Sequence, residues 1–205
     1  MLKKSITLAC SVMLIGAFAQ AEKSGKEAYA ASCMSCHGEN GAGGKESGTG
    51  PNLTILKDDY ATKQFKLIRD GKRVGEGSKK MNEFLDKEAK LSAAELEAAL
   101  KYALELPEAA PNHAKIGNAA AGTASYALCG TCHGQKGEGY VNPAVPAPRL
   151  AGQADWYIVD SLKAFKAKHR GSGDPLGMQM QAMSMTVPTD EAAANVAAYI
   201  ATLKK

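Results

Sequence analysis

Strand-like alternation of apolar and polar residues is missing from this 205-residue chain, which argues against a sheet-built fold and against the βαβ setting of a thioredoxin-like thiol pair. Dense runs of lysine and arginine are missing as well. The 25 basic residues are set against 21 acidic ones, a balance that leaves no footprint for nucleic acid. The one long apolar run, "ITLACSVMLIGAFA", occupies residues 6–19 and is too short to span a bilayer comfortably. Lys3 and Lys4 precede it and Ala19, Gln20 and Ala21 close it, the layout of a cleaved secretory leader. Cleavage after Ala21 removes two lysines and takes the net charge from +4 to +2. The expected address is therefore the periplasm. Cysteine is also scarce: apart from Cys10 in the leader, the chain has only Cys33, Cys36, Cys129 and Cys132. No thiol is left over for another use.

Those four cysteines sit in one hexapeptide written twice, "CMSCHG" at 33–38 and "CGTCHG" at 129–134. The echo runs well beyond it. Gly25 and Tyr29 correspond to Gly122 and Tyr126, Pro51 and Leu53 to Pro148 and Leu150, and Tyr102 to Tyr199. The offset stays at 96 to 97 residues throughout, which indicates a duplicated domain, since two copies are too few for a solenoid. The predicted organisation is a leader over 1–21, a first domain over 22–106, a proline-bearing semi-rigid linker over 107–115 and a second domain over 116–205. Each copy is small enough that its own apolar core is marginal. Something else should fill its centre.

The patterns that are present are helical. "SGKEAYAASC" and "AGTASYALC" predict the helices that lead into the two hexapeptides. "DDYATKQFKLIRDG" places Tyr60, Phe65 and Ile68 near one face and stops at Gly71. Ser92 with Glu95 reads as a capping box, with Pro107 beyond the far end. "ADWYIVDSLKAFKAKHRG" is apolar at Trp156, Val159, Leu162 and Phe165, and the last helix starts at Thr189 with acids in its first turn. Glycine-rich residues 38–50 and 171–177 read as loops.

Three chemistries use two cysteines at this spacing. A thioredoxin-like pair lacks its fold here, and a structural zinc site needs four ligands gathered together, whereas these pairs lie in separate copies. Cys-x-x-Cys-His is the attachment motif of a c-type haem. Thiols three residues apart share one helix face, and both can form thioethers to a single porphyrin. The adjacent histidine, His37 or His133, can turn its imidazole onto the iron. Two motifs predict two covalent haem c groups, held by Cys33, Cys36, Cys129 and Cys132.

With Gly25 and Tyr29 before the first motif, "GPNL", "IRDG", "KKMNEF", "CGTCHGQKGEG", "PRLAGQADWY", "MQMQAM" and "VAAYIATL", the mature chain resembles the class I cytochromes c and, as a whole, the dihaem cytochrome c4 family. The resemblance implies an all-α fold of two tandem class I domains, each wrapped around one haem. The first half lacks the "LAGQ" segment, so the halves are not equivalent. The resemblance also implies a methionine opposite each histidine, which raises the reduction potential. In the first domain that is Met81, in a ligand loop "KKMNEF". The second offers Met178, Met180, Met183 and Met185; similar sequences place the ligand seven residues before the position held here by Val187, which selects Met180 and leaves Met178 and Met183 as neighbours. Pro51 and Pro148 match residues whose carbonyls accept the proximal histidine's ring N–H. Tyr29 with Tyr102, and Tyr126 with Tyr199, match the helix-crossing contacts. His113 and His169 read as solvated; a distal His169 would lower the second haem's potential.

The expected function is a periplasmic electron carrier, with no bond chemistry at six-coordinate irons. Its partners would be redox proteins of the periplasm or membrane, and peripheral membrane association is compatible with that. Lys72, Arg73, Lys79 and Lys80 beside Met81, and Lys163, Lys166, Lys168 and Arg170 in the second half, form candidate docking rims. An alternative is a fixed electron-transfer subunit of a periplasmic dehydrogenase that oxidises sulfur compounds. A dihaem peroxidase or thiosulfate dehydrogenase would need an open ligand position that this sequence does not offer.

Overall fold

The computed structural model describes residues 22–44 and 49–204; the leader reading over 1–21 lies outside them. The described residues contain helices and no strands, with one isolated bridge between Asn142 and Val145. The first group is α1 (Gly25–Ser32), α2 (Met34–His37), α3 (Asp58–Arg69), α4 (Glu76–Lys87) and α5 (Ala93–Glu105). The second is α6 (Ala119–His133), α7 (Asp155–Lys166), α8 (Pro175–Ser184) and α9 (Asp190–Thr202).

In each group the motif helix crosses the last helix: α1 packs on α5, and α6 packs on α9. Glycine makes the crossing possible. A Cβ on Gly25 would lie 2.5 Å from the Ala98 carbonyl oxygen, and one on Gly122 would lie 2.0 Å from that of Asn195. Tyrosines pair just beyond, Tyr29 with Tyr102 at 5.6 Å between ring centres and Tyr126 with Tyr199 at 5.1 Å. They do more than cross. The Tyr29 hydroxyl donates to the Gly38 carbonyl at 2.6 Å and that of Tyr126 to Gly134 at 2.7 Å. Each bond ties the helix to the turn just after the motif histidine, where Gly38 and Gly134 take positive φ.

The first group's core is thin. Only Ala28, Tyr29, Ala99 and Ala103 form its buried cluster, while the second buries Tyr126, Ile158, Val159, Leu162, Val187, Val196 and Ile200 with two alanines. Both carry local stop and start signals. Ser24 and Glu27 form a capping box on α1, and Ser92 and Glu95 another on α5. Glu95 also accepts from the Lys23 backbone N–H at 2.9 Å, which fastens the segment before α1 to α5. The backbone N–H groups of Lys23 and Ser92 hold its carboxyl down to about 2 from 4.5. The stability linked to that shift is present above pH 4.5 and fades as pH falls toward 2. Glu95→Gln is expected to flatten the acid limb of a denaturation curve in that window. An acid limb identical to the parent's would show that Glu95 does not hold the N-terminal segment.

Two sequence expectations change here. "KKMNEF" is no loop: Met81 lies in the middle of α4. The predicted loop at 171–177 gives way at Pro175, which opens α8 as its first residue, a place where proline's missing N–H costs nothing.

The two groups meet along a polar seam. Asn52, fully buried, accepts nothing from solvent; its backbone N–H donates to Gln153 Oε1 at 2.9 Å and its carbonyl takes Gln153 Nε2 at 3.0 Å. Its Nδ2 donates to the carbonyls of Ala109 and Gly152, both at 2.9 Å, and its Oδ1 accepts from Thr54. Gly152 and Gln153 belong to the "LAGQ" segment found only in the second half, so that inequality between the copies is what the seam uses. Lys63 pairs with Asp174 at 2.7 Å, and Arg149 grips Glu108 with both Nη atoms. The connecting strap, residues 107–115, is stitched down on both sides. Asn112 donates to the Gly43 carbonyl and accepts from Trp156 Nε1, and the buried Asp155 carboxylate takes the N–H groups of Ala114 and Ile116.

Candidate haem centres

Each group encloses an apolar cleft, and the motif residues line it. The first is walled by Cys33, Cys36, His37, Pro51 and Met81, the second by Cys129, Cys132, His133, Pro148 and Met180. Counting the space open to solvent they measure about 1960 and 1470 Å³. The four cysteines among the described residues form no disulfide. Burial pushes Cys33 up to about 11, with Cys36 adding to it, and burial likewise raises Cys129.

The histidines are set for ligation. His37 Nδ1 lies 3.1 Å from the Pro51 carbonyl and His133 Nδ1 lies 2.7 Å from that of Pro148. A carbonyl only accepts, so Nδ1 carries the proton and the Nε2 lone pair is left for the cleft. Burial lowers both imidazole pKa values, which favours this neutral form. Gly50 completes the cradle: a Cβ there would stand 2.4 Å from His37 Nδ1. Thiols, imidazole and thioether facing one apolar cleft fit a haem c in both groups.

Comparison with known proteins agrees. Residues 119–204 match the family Cytochrome c, and residues 20–102 match Cytochrome C oxidase, cbb3-type, subunit III. The chain is 36% identical over 178 residues to the thiosulfate dehydrogenase electron acceptor of Thiomonas intermedia, covering 80% of this chain and 76% of that protein. The chain belongs to the dihaem, cytochrome c4-like family. Cytochrome c4 of Pseudomonas aeruginosa is 36% identical over 88 residues, 43% of this chain and 39% of that one. The structure of cytochrome c4 from Acidithiobacillus ferrooxidans superposes with a TM-score of 0.63 at 26% identity, over 85% of this chain and 99% of that one. This dihaem cytochrome is thus an electron-transfer protein with two class I domains and two covalently bound haem c groups.

The candidate rims of the cytochrome are smaller than its sequence suggests. Arg73 donates to Gln64 and Tyr157, and Arg170 is buried at the seam. Lys80 pairs with Glu76 at 2.9 Å and Lys163 with Asp190 at 2.8 Å. Lys72, Lys79 and Lys168 remain exposed, and Lys166 is half-buried. His169 is exposed but lines the first cleft and not the second, and its carbonyl accepts from Val74 N–H at 2.7 Å. His113 Nδ1 accepts from the Asp155 backbone at 3.3 Å and belongs to the strap. Of the four methionines in the second half, Met180 and Met183 line the second cleft, while Met178 and Met185 are exposed. Sequence reasoning missed Tyr60, Gln64, Tyr157 and Ser161, which line both clefts at once. No spacing rule marks them, because α3 and α7 come together only in the folded seam.

Proposed function

We propose that this cytochrome is a periplasmic carrier that passes single electrons between redox proteins and performs no bond chemistry. Residues 22–106 and 116–205 are its two domains, joined by the strap at 107–115. In the first, Cys33 and Cys36 would hold the haem, His37 and Met81 would ligate its iron and Pro51 orients His37. In the second, Cys129 and Cys132 would attach it, His133 and Met180 would ligate it and Pro148 orients His133. The observation that carries this reading is that each cleft sets a Cys-x-x-Cys-His turn and a methionine on the same walls. A bound haem supplies one-electron exchange at iron, and methionine with histidine favours the ferrous state. The chain's own part is to fix the imidazole tautomer, present a soft sulfur and keep water off the ring.

Among the described residues no helix is long and apolar enough to cross a membrane, which is compatible with a carrier that moves between partners. The relative described as an electron acceptor of thiosulfate dehydrogenase favours a donor of that kind, a dehydrogenase acting on a sulfur compound. It also supports the second reading, a cytochrome that stays bound to its dehydrogenase; co-purification from native cells separates the two. The intact mass of the mature chain beginning at Glu22 should exceed that of its polypeptide by two haem groups. Its oxidised spectrum should show a methionine–iron charge-transfer band and no high-spin signal. An excess of one haem, or a high-spin spectrum, would rule out the paired six-coordinate carrier.

A further inference from the structure

The stretch "MQMQAMSM", residues 178–185, carries four thioethers, and α8 sorts them onto two faces. Met180 and Met183, three apart, share the face that lines the second cleft. Met178 and Met185, seven apart, return to the other side of the helix. There they are 56% and 64% exposed, the two most exposed large apolar side chains among the described residues. The helix cannot roll to hide them. A Cβ on Gly177 would stand 2.5 Å from Gly171 Cα, Ser184 is fully buried, and Gln181 Nε2 donates to the Arg170 carbonyl at 2.8 Å.

A methionine left in water adds nothing to the core, so its sulfur is what distinguishes it from a polar residue at the same place. With all four cysteines of the described chain assigned to the haems, exposed thioethers are the softest nucleophiles its surface offers. A solvated thioether takes up one oxygen and becomes a sulfoxide, apolar no longer. On the outer face that change disturbs no packing. On Met180 it would set a polar group against the second domain's core cluster, which Met180 joins, and would spoil the sulfur as a ligand. Met178 lies two residues from Met180 and Met185 five, so an oxidant reaching α8 from solvent meets the outer pair first. Met81 has no such company, being the only methionine between Met34 and Met178.

We propose that Met178 and Met185 form a sulfoxidation site, taking oxidants of the hypochlorous acid class, that spares the ligand Met180. In the step the thioether sulfur gives up two electrons to chlorine. A sulfur–oxygen bond forms, the oxygen–chlorine bond breaks, and chloride and a proton leave. The protective role rests on the ligand reading above.

The test titrates the full mature holoprotein with hypochlorous acid, after two haems per chain are checked by mass. Peptide mass mapping follows the sulfoxide at each methionine, beside the methionine–iron band. Met178 and Met185 should take the first two oxygens while the band stays intact. In the chain carrying Met178→Leu with Met185→Leu, Met180 sulfoxide should appear at about half the parent's dose, since half the thioethers of the stretch are gone. Met34→Leu removes an exposed thioether from the other domain and should leave that dose in place. Met180 or Met183 oxidised as early as the outer pair, or an unchanged dose in the double variant, overturns the proposal. A parent with no methionine–iron band from the second haem before any oxidant overturns the ligand reading instead, and the order of oxygen uptake among the four methionines still decides the sulfoxidation site.

Discussion

Met81→Ala is expected to lower the first haem's reduction potential by on the order of 0.2 V, a part of the ~0.8 V over which axial ligands move haem potentials. The thioether is a soft, neutral ligand that favours ferrous iron, and alanine leaves that position to water or an added ligand. Met81 is half-buried in α4, whose apolar side faces the first cleft through Phe84 and Leu85. The helix should survive, because alanine is the better helix former. The second haem should keep its potential, since Met180 sits on α8 in a separately packed core. Redox titration of the two haems, with imidazole or cyanide added to the oxidised protein, reads all of this. Methionine–iron bands at full strength from both haems in the Met81→Ala protein would remove Met81 from the ligand set. In the second domain Met180→Ala should act in the same way, while Met183→Ala should leave the band in place.

Asn52→Leu is expected to cost ~4 kcal/mol of stability and to loosen the two domains from each other. Leucine fills the space but leaves the carbonyls of Ala109 and Gly152 without their donor, and Thr54 without its acceptor. Each buried group so stranded costs about 1–3 kcal/mol. Because Asn52 is fully buried, water cannot take over these bonds without opening the seam. Denaturant unfolding should show a lowered midpoint, and proteolysis should begin in residues 107–115 before either domain is cut. A midpoint and cleavage pattern equal to the parent's would mean that the amide cluster does not hold the domains together.

The haem centres were legible because covalent attachment demands fixed neighbours. Two thioethers and an imidazole on one ring leave almost no freedom in Cys-x-x-Cys-His, so the motif survives as a local string. Tyr29 with Tyr102 and Tyr126 with Tyr199 were legible for a related reason: duplication printed the same pair twice. The capping box at Ser92 is likewise a three-residue pattern. The seam was not legible. Asn52 meets Gln153 across 101 residues and Tyr60 meets Arg170 across 110, and nothing local in either segment announces the other. Arg73 and Arg170 looked like solvated rim charges because sequence records a charge and not the element packed over it. Met81 and Met180 were singled out by resemblance, but their helices were missed. The glycines of "GEGSKKMNEF" and the proline and glycines near "SGDPLGMQM" depress helix propensity, and packing against the clefts overrides it.

The seam joins two unlike faces, Asn52 on one side and Gly152 with Gln153 on the other, so it is a head-to-tail contact with no twofold symmetry. A contact of that kind made between separate molecules does not close on itself; it adds copies into rings or open chains. The strap favours closing it within one molecule. Held at Gly43, Thr54 and Asp155, it presents the second domain to the first of the same chain at an effective concentration no neighbouring chain in solution can match. Strap length therefore acts as the switch between monomer and domain-swapped polymer. Several flexible residues inserted near Pro111 would weaken that local advantage, and crowding the protein would then let one chain's second domain dock on the next chain's first. Such a polymer would line haems up in series, an insulated protein wire obtained from the present carrier without altering a single contact in the seam.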